Sequence, residues 1–372
     1  NYTNFDYQLR SSPVPRTIQS AISQLTGIYQ PGGDIDSGFA PNITAGYDFY
    51  TPNFDPLTYN ITLNKSLPFG FGVHPVIPDS GYLDFMFRVD DACPNFGGLS
   101  DAGRKDLNKV YDPVAQPTYD ALTALGYTPQ QVGYSTWNLQ AVDVVFDSLN
   151  AQRYYYGMNE PGMSDSFYSQ FEIAMSMNSA LEYASEEVQR LWTDQLSRNF
   201  IQGMDDRISG KTSLKLRMFS GHDSNLLPFM IRMNLMNQQC LRDLYETGTS
   251  QTTCTVHPRF ASMFIWELVQ DGNQNYFVRI LYNGESVAFC SDEDNLPGNY
   301  CAYDTFKQRV NDQLYLTNFM EVCGNLYYKQ SSLRSSLVVL IVGISTATFA
   351  AIVLMIQYAI GYFNYRKKLN AL

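Results

Sequence analysis

The chain has 372 residues, more than one hydrophobic core usually organises, so two domains, or one large domain with an inserted cap, are expected. Hydrophobic residues make up 45% and charged residues 16%, which excludes long disordered tracts, and an aromatic share of 14% favours a packed body. A net charge of −11 repels phosphate backbones and argues against a nucleic-acid partner, although a locally basic pocket could still hold a small anion.

Asn4 to Leu9 reads as a short strand, broken by Arg10-Ser-Ser-Pro-Val-Pro15. Ile18, Ala21, Ile22, Leu25 and Ile28 then recur at helical spacing until Gln30-Pro-Gly-Gly stops the helix. Residues 31–92 are rich in Pro, Gly, Asn and Asp and predict loops with short strands. From about Asn95 to Asp206 the spacing is helical, most clearly from Ser166 to Met175 and from Leu181 to Phe200. Leu214 to Met218 alternates at period two, as a strand does, and runs into Ser220-Gly-His-Asp-Ser-Asn225. Leu226 to Met236 predicts a helix with Pro228 in its first turn. Met263 to Val269 and Tyr276 to Tyr282 predict a hairpin, and Asn283-Gly284 turns the chain towards Ser286 to Phe289. Strands alternate with helices at both ends of a helical block. That order predicts an α/β domain in two parts, 1–94 and 207–330, with a mainly helical cap inserted at 95–206.

The C-terminal region bears on the compartment. Leu337 to Ile360 runs without a charge and is long enough to cross a hydrocarbon core of roughly 30 Å. Tyr358, Tyr362 and Phe363 and then Arg366, Lys367 and Lys368 follow the order of a cytoplasmic membrane edge. A transmembrane helix at 336–362, a cytoplasmic tail at 363–372 and a type I topology are therefore expected, with the body in a lysosome-like compartment or at the cell surface. Glycosylation sequons at Asn1, Asn42, Asn60 and Asn64 agree, as does an even count of six cysteines: Cys93, Cys240, Cys254, Cys290, Cys301 and Cys323. Cysteine spacing leaves their pairing open. The sequence begins at Asn1 without a Met or an apolar leader, so residues upstream are expected.

Two strand-to-helix turns carry side chains suited to an anion. Arg10 stands at the first and Gly221-His222-Asp223 at the second. A helix N-terminus offers free N–H groups and partial positive charge, and an Arg adds a planar fork that matches phosphate oxygens. His222 could donate to the same anion, and Asp223 beside a bound phosphate could act as a general acid. Each also has an ordinary reading: Arg10 as a surface arginine near a turn, Asp223 as a helix cap, His222 as a satisfied histidine. His74 and His257, beside prolines in loop-like sequence, receive no role. With no metal-ligand cluster, GxSxG elbow or phosphate-binding P-loop in the sequence, no metal or cofactor is expected.

The segment Leu9-Arg-Ser-Ser-Pro-Val-Pro-Arg-Thr-Ile-Gln-Ser-Ala-Ile-Ser-Gln-Leu resembles the RS(T)xVxRTxxSAxxxL segment of histidine acid phosphatases, branch 2 of the histidine phosphatase superfamily. Lys215-Leu-Arg-Met-Phe-Ser-Gly-His-Asp-Ser-Asn resembles that family's second signature, a strand ending in SAHDTT. The likeness extends over residues 5–325 and, with the apolar C-terminal run, is greatest to the membrane-anchored lysosomal type. It implies a phosphoglycerate-mutase-like sheet flanked by helices, and a phosphomonoester substrate hydrolysed through a phosphohistidine. Arg10 and His222 would hold the phosphate, Asp223 would protonate the leaving oxygen, and Arg16 would support the pocket. The resemblance also implies Cys93 paired with Cys323 and Cys290 with Cys301, and with them Cys240 with Cys254. A homodimer or a larger membrane complex is possible by the same likeness.

The sequence departs from that pattern in two places. No RHG, the motif that carries the family's nucleophile, occurs in these 372 residues; an upstream segment, continuous or cleaved, is expected to supply it as a central strand. Gly221, Ser224 and Asn225 stand where the family commonly has Ala, Thr and Thr. The alternative expectation is an inactive, glycosylated member of the fold that serves as a surface or complex subunit.

Overall fold

The computed structural model describes residues 7–28, 76–78, 84–157, 160–291 and 293–325. The sequons at Asn1, Asn42, Asn60 and Asn64, His74, and the expected membrane span and tail all lie outside the described residues. Among those described, no helix is long and apolar enough to cross a membrane. The chain divides into one unit, Asn1–Cys323, and a second, Gly324–Leu372.

Strand β1 (Tyr7–Ser11) alternates buried and half-buried residues and leads through a short turn into helix α1 (Pro15–Ile28). Pro15 opens that helix, where its missing N–H costs nothing. Beside β1 lie β2 (Ile77–Pro78) and β3 (Leu216–Ser220), both parallel to it, in the order β2-β1-β3. Tyr7 and Leu9 pack with Ala21 and Leu25 of α1 and with Leu216 and Met218, forming a small core on one face. Gln8 and Arg10 alternate with them along the strand and therefore project to the other face.

Helices fill the middle of the chain: α2 (Val89–Ala92), α3 (Phe96–Tyr111), α4 (Gln116–Ala124), α5 (Leu139–Tyr156), α6 (Asp165–Glu182) and α7 (Glu186–Ile208). Side-chain caps start three of them. Asn138 accepts from Ala141 N, Ser164 from Phe167 N and Ser185 from Val188 N. The fully buried Asp194 of α7 accepts two bonds from Arg198, at 2.8 and 2.9 Å, and one from Leu316 N at 2.7 Å, tying this helix to the C-terminal part of the body.

After β3 come α8 (Asp223–Arg232) and α9 (Gln238–Thr247). The second sheet holds β4 (Phe264–Gln270), β5 (Tyr276–Tyr282), β6 (Glu285–Val287) and β7 (Cys301–Ala302), with β5 antiparallel to each of the other three. Helices α10 (Tyr303–Leu314) and α11 (Phe319–Cys323) close the body. Its main core runs continuously from Met86 and Phe87 through α5, α6 and α7 to β5 and α10.

Among the described residues the strands form two small sheets: β3 pairs only with β1, and β4 only with β5. One expectation is corrected. The helix expected from Leu226 begins at Asp223, so Pro228 lies inside it rather than in its first turn. The helix starts earlier because Asn225 turns back to bond the backbone of His222, an interaction that apolar spacing does not register.

Three disulfides form: Cys93–Cys323, Cys240–Cys254 and Cys290–Cys301. The first joins residues 230 apart in sequence, so it closes by far the longest loop. Restricting the unfolded chain through so long a loop is worth on the order of 2–5 kcal/mol. The Cys93→Ser/Cys323→Ser double variant should lose stability of that order in equilibrium denaturation without reductant, and more than the equivalent variant of the Cys290–Cys301 pair.

Candidate active site

Parallel pairing puts the carboxyl ends of β1 and β3 side by side. Ser11 is in register with Ser220, and Ser12 N donates to Ser220 O at 3.0 Å, one residue beyond the strand. Buried hydroxyls lock the two turns together. Thr17 donates to Ser12 O at 3.0 Å, Ser11 donates to Thr17 at 3.1 Å, and Ser220 donates to Thr17 O at 2.8 Å. The first turns of α1 and α8 consequently open on the same edge of the sheet, the position at which α/β sheets take up ligands.

His222 sits at that edge, with Nε2 2.9 Å from Ser12 Oγ and Nδ1 3.4 Å from the Arg16 guanidinium. Burial lowers the His222 pKa below its usual value, and the positive fields of Arg16 and Arg88 add to this. Arg88, just before α2, is held by Asp90 at 3.3 Å and Asp91 at 2.6 Å. Sequence spacing gave no reason to place Arg88 here, since it lies in a segment read as loop. Arg10 stands two residues before Ser12 on β1, paired with Phe219, and its half-buried guanidinium reaches Asn199 of α7 at 3.4 Å. Arg16 and His222 thus touch directly. Arg10 enters the same end of the sheet but is bonded towards α7.

Asp223 is the first residue of α8. Its Oδ1 accepts from Ser224 N at 2.8 Å and its Oδ2 lies 3.4 Å from Nε2 of His257. Behind it stands an acidic wall from α5 and α6. Asp143 is pushed up to about 7, chiefly by burial and then by the negative fields of Glu182, Asp223 and Asp147, while a 3.0 Å bond from Asn178 works against the shift. Glu182 is also raised, by burial above all. His257, given no role from sequence, is therefore a neighbour of the candidate acid. A histidine next to proline in a loop carries no periodic signal that could have revealed this.

The departure at Gly221 and Asn225 has a packing explanation. Asn225 is 5% exposed; its Oδ1 accepts from His222 N at 2.7 Å, and its Nδ2 donates to Met86 O at 3.0 Å and to Phe87 O at 3.3 Å. A Cβ at residue 221 would collide with Asn225 Oδ1 and come within 2.9 Å of the Phe87 ring. Gly221 and Asn225 are thus a matched pair: the amide that orients His222 occupies the space of the missing methyl group. Gly221→Ala should cost about 1–3 kcal/mol by overpacking, read as a lower denaturation midpoint. Combining it with Asn225→Thr should recover part of that loss.

Residues 1–283 match the family model described as "Histidine phosphatase superfamily (branch 2)". The chain is 22% identical over 318 residues to Counting factor 60 of Dictyostelium discoideum, covering 85% of this chain and 62% of that protein. It is also 22% identical over 299 residues to a lysosomal acid phosphatase of Xenopus laevis, covering 77% of this chain and 56% of that one. The chain therefore spans less than two thirds of the length of either relative. The family match over most of its length establishes that this chain belongs to branch 2 of the histidine phosphatase superfamily.

Proposed function

We propose that the protein is a phosphomonoesterase that works at acid pH outside the cytosol. The observation that carries this reading is the joining of the β1 and β3 turns, which gathers His222, Ser12 and Arg16 at the openings of two helices, with Arg10 on the same strand end. Helix N-termini and guanidinium groups suit the equatorial oxygens of a phosphoryl group. In this reading Arg10 and His222 hold the phosphate, Arg16 supports His222, and Asp223 protonates the departing oxygen. Residues 95–206 act as a cap over the α/β parts at 1–94 and 207–330. A membrane helix at 336–362 anchors the body, supported by its uncharged run and the basic residues after it.

The nucleophile in this proposal is a histidine on a strand outside these 372 residues. Two edges among the described residues favour such a strand. β3 is unpaired on the side away from β1, and β4 on the side away from β5. In this proposal the histidine-bearing strand pairs with one of these edges. A second reading, an inactive surface or complex subunit with the same fold, is favoured by the departure of Gly221, Ser224 and Asn225 from the family's common residues.

Hydrolysis of an artificial aryl phosphate by the full-length protein at about pH 5 separates the two readings, since only the first requires turnover. Asp223→Asn should then lower kcat by roughly 10²–10⁴-fold, the usual worth of a general acid. Arg10→Ala should lower kcat/KM by weakening the hold on phosphate. Turnover unaffected by either change would overturn the site assignment.

Asp143 links the body to acid conditions in a way that is measurable without turnover. Its raised pKa means that the folded protein keeps a proton that the unfolded chain releases above about pH 4. The associated stability is present below about pH 4 and is lost as pH rises to about 7, to a total on the order of 4 kcal/mol. Asp143→Asn should flatten the fall in stability across that window, as followed by denaturation at several pH values.

A further inference from the structure

We propose that Arg88 is a phosphate-holding residue of the β1–β3 edge: its guanidinium joins Arg10 and Arg16 around the oxyanion that His222 meets. The assignment rests on the reading of this edge as a phosphate site, and it does not require turnover.

A bonded turn carries Arg88 to the end of β3. The buried Asp84 accepts from Phe87 N at 2.8 Å through Oδ1, and its carbonyl accepts from Arg88 N at 3.0 Å. Asn225, whose Oδ1 accepts from His222 N at 2.7 Å, donates to Met86 O at 3.0 Å and to Phe87 O at 3.3 Å, the two carbonyls that lead into Arg88. The buried Phe87 ring packs over Gly221, with its centroid 6.4 Å from that of Phe219 of β3. On the far side, Arg88 O accepts from Ala92 N at 2.9 Å, and Cys93 is tied to Cys323. The backbone at Arg88 is thus fixed on both sides, and on one of them by the same side chain that fixes His222.

Ion pairs direct the guanidinium without using all of it. Nε and Nη2 bond the two oxygens of Asp90, each at 3.3 Å, and Nη2 also meets Asp91 at 2.6 Å. These contacts occupy one edge of the fork, and Nη1 makes no hydrogen bond among the described residues. The side chain is 28% exposed, so an anion can reach it from solvent. Around the His222 ring stand Ser12 at 2.9 Å and Arg16 at 3.4 Å, and the fields of Arg88, Asp90 and Asp223 act on it. Of the Arg88–Asp90 pair, the guanidinium acts on the ring more strongly than the carboxylate. Arg16 and Arg88 both oppose a positive charge on His222, and a bound oxyanion reverses that conflict because it attracts all three groups.

Calorimetric titration of inorganic phosphate into the full-length protein tests this. Arg88→Gln should raise the Kd by roughly 10–100-fold, as expected for the loss of one hydrogen bond from a charged donor. Arg88→Lys keeps the charge but not the fork, and should raise it less. Denaturation without phosphate controls for a merely structural role: solvent-facing ion pairs contribute little, so the Arg88→Gln midpoint should stay close to that of the unaltered protein. Nitrogen-15 NMR of the His222 ring reads the placement itself, since removing the guanidinium should move its titration to higher pH. A Kd or a His222 titration left unchanged by Arg88→Gln overturns the proposal, as does an unaltered protein that takes up no phosphate. If phosphate binding responds as expected but no aryl phosphate is hydrolysed, the phosphatase reading fails and the assignment of Arg88 stands.

Discussion

The parallel pairing of β1 with β3 is the constraint on which the rest of the molecule depends. A parallel pair needs a long crossover, and here it spans from α1 to the end of α7. Helices α2 to α7 within that crossover bury their apolar faces against the same core that supports β5 and α10, whereas α1 packs on the small core beside β1. The pairing does more than close the sheet. It brings Ser12 and His222, 210 positions apart in sequence, to 2.9 Å, and joins the openings of two helices through the hydroxyls of Ser11, Thr17 and Ser220. Backbone amides and side chains suited to an anion therefore meet because two strands run in the same direction and end together.

Charge on the two sides of His222 and Asp223 is divided. Arg16 and Arg88 lie towards His222 and lower its pKa, whereas Asp143, Asp147, Glu172 and Glu182 lie around Asp223 and His257. The acidic wall also bears on the whole chain: a net charge of −11 gives no hint of a basic pocket, because the cationic groups are few and are grouped by folding.

Gly221, Asn225 and Phe87 illustrate how a departure from a familiar motif can be internally consistent. The Asn225 amide joins the His222 backbone to the Met86–Phe87 turn, and a methyl group at residue 221 would occupy the same space. Read one at a time, the two substitutions look like erosion of the motif. Together they are a single exchange of one way of filling and bonding this corner for another.

The elements themselves were legible from local pattern. The hairpin of β4 and β5, the helical spacing at Ser166–Met175 and across Leu181–Phe200, and the strand ahead of His222 follow from patterns that act over a few residues, although Leu181–Phe200 divides between the end of α6 and α7. The family was legible too, because its two signatures are contiguous stretches of chain. Tertiary structure alone decided that Arg88 and His257 stand beside the predicted residues, that Arg10 reaches towards Asn199, and that the described strands form two small sheets. The physical reason is common to all of these. Periodicity reports which face of an element is buried, whereas proximity between side chains far apart in sequence, and the electrostatic fields that follow from it, exist only once the helices and strands have packed.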